Sequence, residues 1–321
     1  MSLEPTRADR PLVAVCVCTR ARPQMLRRCL GSLLLQRFEA SHFRMKLLVV
    51  DNNPEPAARP VFEEVWGADG KLVHCPRPGI PMARNAALEA ALRAGADYIA
   101  FLDDDEIAPP WWLGSLVRAL EDLGADAVQG GVRTLPEDAK DLASDIPAPG
   151  GKLAWEACES LATCNVLFKA RLVAPPLSLR FDETMQFTGG SDREFFMRAR
   201  KRGARLMRVY GIDVLEDAHA ERRALAYQAA RAFASGSNYF HRMAKNEPAP
   251  VAAARIAMRS AERGVSGVAK LLAAAALLLA LRRRSAVAQW RKGCLSLCFA
   301  AGCLTPVAGL RAQPYRTIQG A

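Results

Sequence analysis

Short apolar runs alternate with amphipathic stretches through the first third of the chain. Residues 12–18 (LVAVCVC) form an apolar run rich in β-branched side chains, and residues 46–50 (KLLVV) and 99–102 (IAFL) form two further, largely apolar runs. Short runs of this kind predict buried strands. Between them, residues 23–36 and 83–94 carry apolar side chains at helical spacing. This alternation predicts an α/β fold in which a mainly parallel central sheet is flanked by helices.

The later part of the chain continues the pattern less regularly and ends in a different composition. Further helices are predicted over residues 111–123, 192–203 and 224–243, and further strands over residues 127–132, 162–169 and 206–214. Residues 133–152 are rich in Pro, Gly and Asp and predict a long loop. We therefore expect an α/β domain over residues 1–247 and a separate helical tail over residues 248–321.

Positive charge is concentrated in this tail. The chain has a formal net charge of +11, and residues 248–321 contain eleven Lys and Arg residues against one acid, Glu262. The tail also holds two apolar runs, Leu271–Leu281 and Cys294–Leu310. Both runs are shorter than the ~20 residues that a helix needs to span a bilayer.

Three interpretations of the apolar runs stay open: they pack as buried core helices, they attach the tail to a membrane without crossing it, or they span the membrane. We prefer attachment to an anionic cytoplasmic leaflet, because each Lys or Arg near such a surface contributes about 1 kcal/mol. Nucleic acid is not an expected partner, since the basic residues flank Leu/Ala runs and few aromatic residues lie among them.

Cysteine usage and the N-terminus both favour a reducing compartment. The nine cysteines include no C-x-x-C pair, and the first residues, MSLEPTRADRP, contain no apolar signal segment. These features predict reduced thiols in a cytosol rather than a secreted disulfide scaffold.

Acidic residues follow two of the predicted strands. Asp51 ends the second strand, and Asp103-Asp104-Asp105-Glu106 follows the third. Ligands bind beyond the carboxyl ends of strands in open α/β sheets, so these acids lie where a ligand is expected. Adjacent carboxylates repel one another, and a hard cation such as Mg²⁺ or Mn²⁺ relieves that repulsion. The alternative is that the acids cap a helix that starts near Pro109-Pro110-Trp111.

Two common nucleotide-binding patterns are missing from the sequence. It contains neither a G-x-G-x-x-G segment nor a Walker A segment. Dinucleotide-binding and P-loop NTPase functions are therefore disfavoured.

Five motifs follow one another along the chain: Thr19-Arg20-x-Arg22-Pro23, VVDNN at residues 49–53, Gly79 with Ala83-Arg84-Asn85-Ala86, FLDDDE at residues 101–106, and Thr188-Gly189-Gly190-Ser191-Asp192-x-Glu194-Phe195. With these motifs, the sequence resembles the inverting nucleotide-sugar glycosyltransferases of family 2, which have the GT-A fold. The resemblance covers about residues 12–245 and is closest to bacterial exopolysaccharide enzymes of the succinoglycan type.

The resemblance implies a role for each matching residue. Asp51 would accept the imide N–H of uracil, beside Thr19 and Arg20 at the base and ribose. Arg84 would bind a base carbonyl or a phosphate, and Asp103 would contact ribose or sugar hydroxyls. The nucleotide-sugar site is thus expected to include Thr19, Arg20, Asp51, Arg84, Asp103, Asp104 and Arg222, and the metal would be bound by Asp105 and His219.

Inversion implies a carboxylate that removes a proton from the acceptor hydroxyl as it attacks the anomeric carbon. Asp192 is the candidate catalytic base, because it matches the second residue of the family's Glu-Asp pair. Ser191 occupies the position of the Glu in that pair. An ordinary acid in the first turn of a helix is the alternative for Asp192.

The implied activity is a metal-dependent, inverting hexosyl transfer of one sugar from a nucleotide-sugar, with UDP as the expected nucleotide. The acceptor would be a lipid-linked saccharide in cell-surface or exopolysaccharide synthesis, on the cytoplasmic side of the bacterial inner membrane. The protein would be peripheral or monotopic there. A sugar-phosphate nucleotidyltransferase and a catalytically silent, nucleotide-sugar-binding membrane scaffold remain as alternatives.

Overall fold

The computed structural model describes residues 10–37, 42–135, 148–186, 189–217 and 224–308. Its strands are β1 (Leu12–Thr19), β2 (Arg44–Asp51), β3 (Lys71–His74), β4 (Tyr98–Asp103), β5 (Glu106–Ile107), β6 (Ala127–Leu135), β7 (Trp155–Ala157), β8 (Val166–Lys169) and β9 (Leu206–Asp217). Its helices are α1 (Pro23–Leu34), α2 (Arg59–Val65), α3 (Ile80–Arg93), α4 (Trp112–Asp122), α5 (Ser191–Lys201), α6 (Leu225–Asn246), α7 (Ala249–Leu279) and α8 (Arg283–Leu304).

The described strands form one mixed sheet in the order β3-β2-β1-β4-β8-β6-β9-β5, with β7 also paired to β9. Strands β3, β2, β1 and β4 are parallel, as is the β6–β9 pair. The remaining pairs, which involve β5, β7 and β8, are antiparallel. The predicted α/β fold with a central sheet is confirmed, and its parallel pairing is concentrated in the first four strands.

Helices cover both faces of this sheet. Val13, Val15 and Val17 of β1 belong to one core cluster, which includes side chains of α1, α2 and α4. Ala14 and Cys16 belong to the opposite cluster, with side chains of α3 and α5. Since alternate side chains of a strand point to opposite faces, burial on both faces explains why the first run is apolar at every position.

Asn165 joins three elements near the middle of the sheet. Its side-chain oxygen accepts a hydrogen bond of 2.7 Å from the Trp112 indole N–H, and its side-chain nitrogen donates to the carbonyls of Gly131 and Ile212, both at 2.7 Å. The residue is fully buried and has a left-handed backbone with φ of 48°. These contacts fix the segment that leads into β8.

We expect Asn165→Ala to lower the free energy of unfolding by about 3 kcal/mol or more, because the buried Trp112 indole N–H and Ile212 carbonyl and the half-buried Gly131 carbonyl lose their partner. Urea denaturation measures the change. Asn246→Ala is the matched control: the Asn246 amide is half-buried and donates to the Arg242 carbonyl of its own helix, so its loss should cost under about 1 kcal/mol. Equal losses in both variants would contradict the assigned role of Asn165.

Asp126 ties the start of β6 to neighbouring segments. Its buried carboxylate accepts a 3.0 Å hydrogen bond from the Arg205 N–H and bonds from the Arg171 guanidinium, with the Lys169 ammonium 3.7 Å away. Burial alone would raise the pKa of Asp126, but these donors and cations hold that pKa below its ordinary value. The ionised form therefore stabilises the folded state.

Asp126→Asn should lower the free energy of unfolding by about 1–3 kcal/mol at pH 7. A carboxylate with a lowered folded pKa stabilises the protein above its unfolded pKa, near 4, and this contribution is lost as pH falls through the folded value. The difference between variant and wild type should therefore shrink below about pH 4. Asp122→Asn, at the exposed end of α4, is the control and should change little at either pH. A pH-independent difference for Asp126→Asn would refute this account.

Residues 224–308 belong to a second compact unit, which is helical. Gly236 of α6 and Gly302 of α8 leave no room for a Cβ atom, because one added there would lie 2.1 Å or less from a carbonyl oxygen of the facing helix. A small core contains Met243, Ile256 and Cys303. Helix α6 thus packs with α7 and α8, so the boundary lies earlier in the chain than the expected residue 247.

The two apolar runs of the tail have different surroundings. The first forms the end of α7 and the turn after it, and much of it is exposed. The second lies largely in α8, where Ala300 and Cys303 are buried. None of the helices in the described ranges has the length and hydropathy needed to cross a membrane.

Candidate active site at the strand ends

The strand register brings the predicted acids to one edge of the sheet. Thr19, the last residue of β1, lies opposite Asp51, the last residue of β2. On the other side of β1, Cys18 lies opposite Asp103 at the end of β4. The carboxyl ends of three neighbouring parallel strands therefore meet where the sequence pattern predicted a ligand site.

Asp51 holds the loop that follows β2. One carboxylate oxygen accepts from the backbone and side-chain N–H groups of Asn53, at 3.1 and 2.6 Å. The other accepts from the N–H groups of Ala57 and Ala58, at 2.6 and 2.7 Å. Burial alone would raise the pKa of Asp51, but the four hydrogen bonds hold that pKa below its usual value. Asp51 thus shapes the loop, and its contact with a base stays a prediction.

Asn52, which the sequence analysis gave no role, positions the start of α3. Its side-chain nitrogen donates to the carbonyls of Cys75 and Arg77, both at 2.8 Å, and its oxygen accepts from the Gly79 N–H at 3.0 Å. Gly79 has φ of 136°, which a residue with a Cβ atom rarely adopts. The hydrogen bonds of Asn52 thereby fix the helix that carries Arg84.

Arg84 supplies a positive charge beside the acidic turn. Its guanidinium lies 4.0 Å from an Asp103 carboxylate oxygen and 5.7 Å from the centroid of the Phe181 ring. The next residue, Asn85, exchanges hydrogen bonds with the backbone N–H and carbonyl of Phe181, at 2.8 and 3.0 Å. Arg84 is thus held over an aromatic ring that is itself tied to α3.

Asp104 links the end of β4 to the segment after β1. Its carboxylate accepts a 2.7 Å hydrogen bond from the Thr19 hydroxyl and lies 3.1 Å from the Arg22 guanidinium, which is also 3.6 Å from Asp105. Thr19 and Asp104 are both buried. Two predicted binding residues thus hold each other, and Arg22, which had no assigned role, bridges two of the acids.

The helix-cap interpretation of the acidic residues is wrong. Helix α4 begins at Trp112, and its N-terminus has no side-chain cap. The four acids instead form the end of β4, a tight turn and the start of β5. After the turn the chain continues as β5, which pairs with β9. The acidic pattern did not predict this pairing.

Glu106 closes the acidic turn from within. Its carboxyl group accepts a 2.9 Å hydrogen bond from the Asp103 N–H, is buried, and pairs across the sheet with Glu216. Burial and the neighbouring acids Asp103, Asp105 and Glu216 raise the pKa of Glu106 well above its usual range. Glu106 lies within the FLDDDE motif, but no function was predicted for it.

The acidic turn concentrates negative charge on Asp103. Burial, together with the charges of Asp105, Asp104 and Asp192, raises the pKa of Asp103 to about 7, while Arg84 acts in the opposite direction. The Asp103 side chain is nevertheless 46% exposed, so it can meet a ligand. A cation or a ligand donor that approached it would relieve the repulsion.

Asp192 belongs to the same charged cluster, since its charge acts on Asp103. It is half-buried in the first turn of α5, and its carboxylate accepts from the adjacent Arg193 N–H at 2.8 Å. The nearby Glu194 is buried and forms two hydrogen bonds, at 2.7 and 2.8 Å, with Arg198. Asp192 is therefore the more accessible carboxylate of this helix start.

Arg20 has a donor suited to a ligand. Its Nε atom is buried and has no hydrogen-bond partner among the residues that the structure describes. Unpaired buried donors are rare because they forfeit hydrogen bonds to water. The predicted binding residues Arg222 and His219 lie outside the described residues.

Cys164 is a site residue that the sequence did not suggest. The charges of Glu106, Asp103 and Asp192 act on its thiol, whose pKa burial raises far above the usual value. Its backbone carbonyl accepts a 3.2 Å hydrogen bond from the Gln129 side chain. Cys164 reaches the acids because β8, which follows it, pairs with β4, and no local pattern predicts that pairing.

The acidic turn suits a metal ion that arrives with a substrate. Within the described ranges, no group of three or more His, Cys, Asp or Glu side chains is arranged to hold an ion. Mg²⁺ is commonly held by one or two carboxylates together with substrate phosphates. Asp105 and the exposed, charge-crowded Asp103 provide such a carboxylate pair, so the residues fit an ion bound jointly with a diphosphate.

Comparison with known proteins identifies a matching family and two related proteins. Residues 14–153 match the model of glycosyl transferase family 2. Over 268 residues the chain is 32% identical to the succinoglycan biosynthesis protein ExoM of Rhizobium meliloti (strain 1021), covering 80% of this chain and 83% of that protein. Over 125 residues it is 30% identical to a glucosyl-dolichyl phosphate glucuronosyltransferase of Haloferax volcanii, covering 39% and 38% of the two chains.

Solved structures show the same fold at low sequence identity. S. aureus TarS 1-349 in complex with UDP-GlcNAc has a TM-score of 0.52 and 13% identity, covering 96% of this chain and 95% of that one. Its complex with UDP has a TM-score of 0.50 and 14% identity, with coverage of 96% and 94%. The fold is that of the GT-A glycosyltransferases. The match to the family model and the similarity to ExoM over most of both chains show that this chain belongs to glycosyltransferase family 2.

Proposed function

We propose that the protein transfers a single sugar, with inversion, from a UDP-sugar to a lipid-linked saccharide in exopolysaccharide or other cell-surface polysaccharide synthesis. The observation that carries the proposal is the gathering of Asp103, Asp105 and Asp192 with the cation Arg84 at the strand ends. These groups combine binding of an anionic donor with a carboxylate for proton transfer, as an inverting transfer requires.

The donor is bound through its nucleotide and diphosphate. Arg20 contributes an unpaired Nε donor, and Arg84 a guanidinium that suits a phosphate or a base carbonyl. Asp51 and Asn52 support this side of the site by fixing the loops after β2 and β3. UDP is the favoured nucleotide because the TarS structures with the same fold hold UDP and UDP-GlcNAc.

Asp105, with Asp103 beside it, would hold Mn²⁺ or Mg²⁺. When bound, the ion would neutralise charge on the departing diphosphate. Arg84 adds a fixed positive charge on the Asp103 side of the turn. Arg22 and Thr19 hold Asp104 and thereby keep the turn in place for the donor.

Asp192 acts as the base. A half-buried carboxylate in the first turn of α5 can accept the acceptor's proton while the hydroxyl attacks the anomeric carbon. Glu194 is occupied by Arg198 and instead stabilises the start of the helix. Inversion by one displacement needs no covalent intermediate on the protein.

The proposed acceptor is based on similarity to ExoM, and the proposed location is based on the positive charge of the tail. The similar protein ExoM is named for succinoglycan biosynthesis, and we infer a saccharide acceptor carried on a membrane lipid. Basic residues of the tail would attach the protein to the anionic cytoplasmic leaflet of a bacterial inner membrane. Processive polymerases carry the pattern Gln-x-x-Arg-Trp, whereas here Gln228 and Arg231 are followed by Ala232. The absence of this pattern favours transfer of a single sugar.

Asp192→Asn should lower turnover by about 10²–10⁴-fold, because the amide cannot accept the proton, while UDP affinity changes by no more than a few-fold. Release of UDP from a panel of UDP-sugars, with lipid-linked acceptor extracts, measures turnover; calorimetry measures UDP affinity. Asp122→Asn on α4 serves as the control and should leave both unchanged. Full turnover in Asp192→Asn would exclude Asp192 as the base.

Removal of the metal-binding carboxylate gives a second test. Wild-type protein titrated with UDP should bind it more tightly with Mn²⁺ than without, and GDP should bind weakly under both conditions. Asp105→Ala should abolish the Mn²⁺ dependence, since a coordinating carboxylate is lost. Unchanged Mn²⁺ dependence in that variant would refute the metal assignment. Tight UDP binding without transfer in any acceptor mixture would instead support the silent-scaffold alternative.

A further inference from the structure

Helix α7 carries an apolar stripe on its outer side. The stripe consists of Val265, Val268, Leu272 and Leu279, and Leu281 continues it in the turn after the helix. Helix residues spaced by three, four and seven positions share a face, so the four helical members lie along one side. Leu272, Leu279 and Leu281 are 67%, 87% and 82% exposed.

The stripe is separate from the side of α7 that packs in the helical unit. Gly267 and Ala274 are buried, and a Cβ atom added at Gly267 would lie 2.8 Å from the Leu297 side chain of α8. Lys270 also donates a 3.3 Å hydrogen bond to Ser296 of α8. The packing requirements of α7 are thus met on one side, while the apolar stripe occupies another.

Positive charge surrounds the end of the stripe. Arg282, Arg283 and Arg284 follow Leu281 directly, and all three are exposed. From residue 263 to residue 308 the sequence contains seven Lys and Arg residues and no acidic residue. An apolar stripe that ends in exposed arginines is complementary to a surface with an apolar interior and anionic headgroups.

We propose that the stripe and the three arginines form the surface by which α7 lies in the headgroup region of an anionic lipid leaflet. This inference rests on the membrane attachment in the proposed function and specifies which part of the tail makes it. The second apolar run is not this surface, because Ala300 and Cys303 within it are buried in the helical unit.

Charge and composition favour lipid over a second copy of the chain. A second copy would bring its own arginine cluster against the first, and like charges repel. Paired helices also carry charged residues beside their apolar seam, whereas Leu271, Ala275 and Ala276 flank this one. A broad apolar face with basic residues is typical of helices that lie in a lipid interface.

The test uses the full chain and sedimentation with two kinds of vesicle, phosphatidylcholine alone and phosphatidylcholine with phosphatidylglycerol. Wild type should bind the anionic vesicles and bind the neutral ones much more weakly. The triple variant Arg282→Ser, Arg283→Ser, Arg284→Ser should partition about 100-fold less onto anionic vesicles. The double variant Leu272→Ser, Leu279→Ser should lose at least about tenfold.

Matched controls come from exposed residues of the α/β unit. Leu34→Ser with Leu35→Ser removes two exposed leucines, and the triple variant Arg59→Ser, Arg93→Ser, Arg118→Ser removes three exposed arginines. Both controls should bind vesicles like wild type. UDP affinity, measured on every variant, should be unchanged because none of these residues belongs to the proposed donor site.

The outcomes separate this proposal from the proposed function. Wild-type partitioning in both test variants would overturn the surface assignment, as would failure of wild type to bind anionic vesicles. A change from dimer to monomer in the leucine variant, without a change in vesicle binding, would identify the stripe as a self-association surface and also overturn it. Vesicle binding that depends on the stripe in a protein that binds no UDP would support this surface while refuting the proposed function.

Discussion

Repulsion among the carboxylates at the end of β4 is the constraint on which the candidate site depends. Burial and crowding raise the pKa of Asp103 to about 7, which shows that its ionised form is disfavoured unless nearby cations and donors compensate. Arg22 bridges Asp104 and Asp105 from one side, and Arg84 approaches Asp103 from another. The Asp103 side chain is still substantially exposed, so a ligand can reach it and relieve the remaining repulsion.

Amide side chains hold the surrounding loops in register. Asn52 binds the segment before α3, Asn85 binds the backbone at Phe181, and Asn165 joins β6, β9 and α4. Each uses both its donor and its acceptor atoms, so a single side chain satisfies several buried backbone or indole groups. The site is therefore built from loops whose polar groups are largely satisfied within the protein.

The sequence predicted the parts of this protein that depend on local patterns. Strands β1, β2 and β4 were predicted from short apolar runs, and the ligand-binding edge was predicted from the acids that follow two of these runs. Both signals are local, because each is contained in a few consecutive residues. The place of Cys164 and the role of Asn165 depend on the pairing of β8 with β4 and β6, which unites residues far apart in the chain. In the tail, hydropathy identified both apolar runs but could not predict how exposed each would be, because packing between helices decides which side of a helix is covered.

The bond between Thr19 and Asp104 has a thermodynamic consequence for an incoming nucleotide. It joins the loop that would meet the base and ribose to the turn that would meet the diphosphate, and Arg22 reinforces the junction. Since the two segments are already ordered with respect to each other, less conformational entropy is lost when one ligand contacts both. More of the free energy of those contacts then contributes to the affinity for the nucleotide.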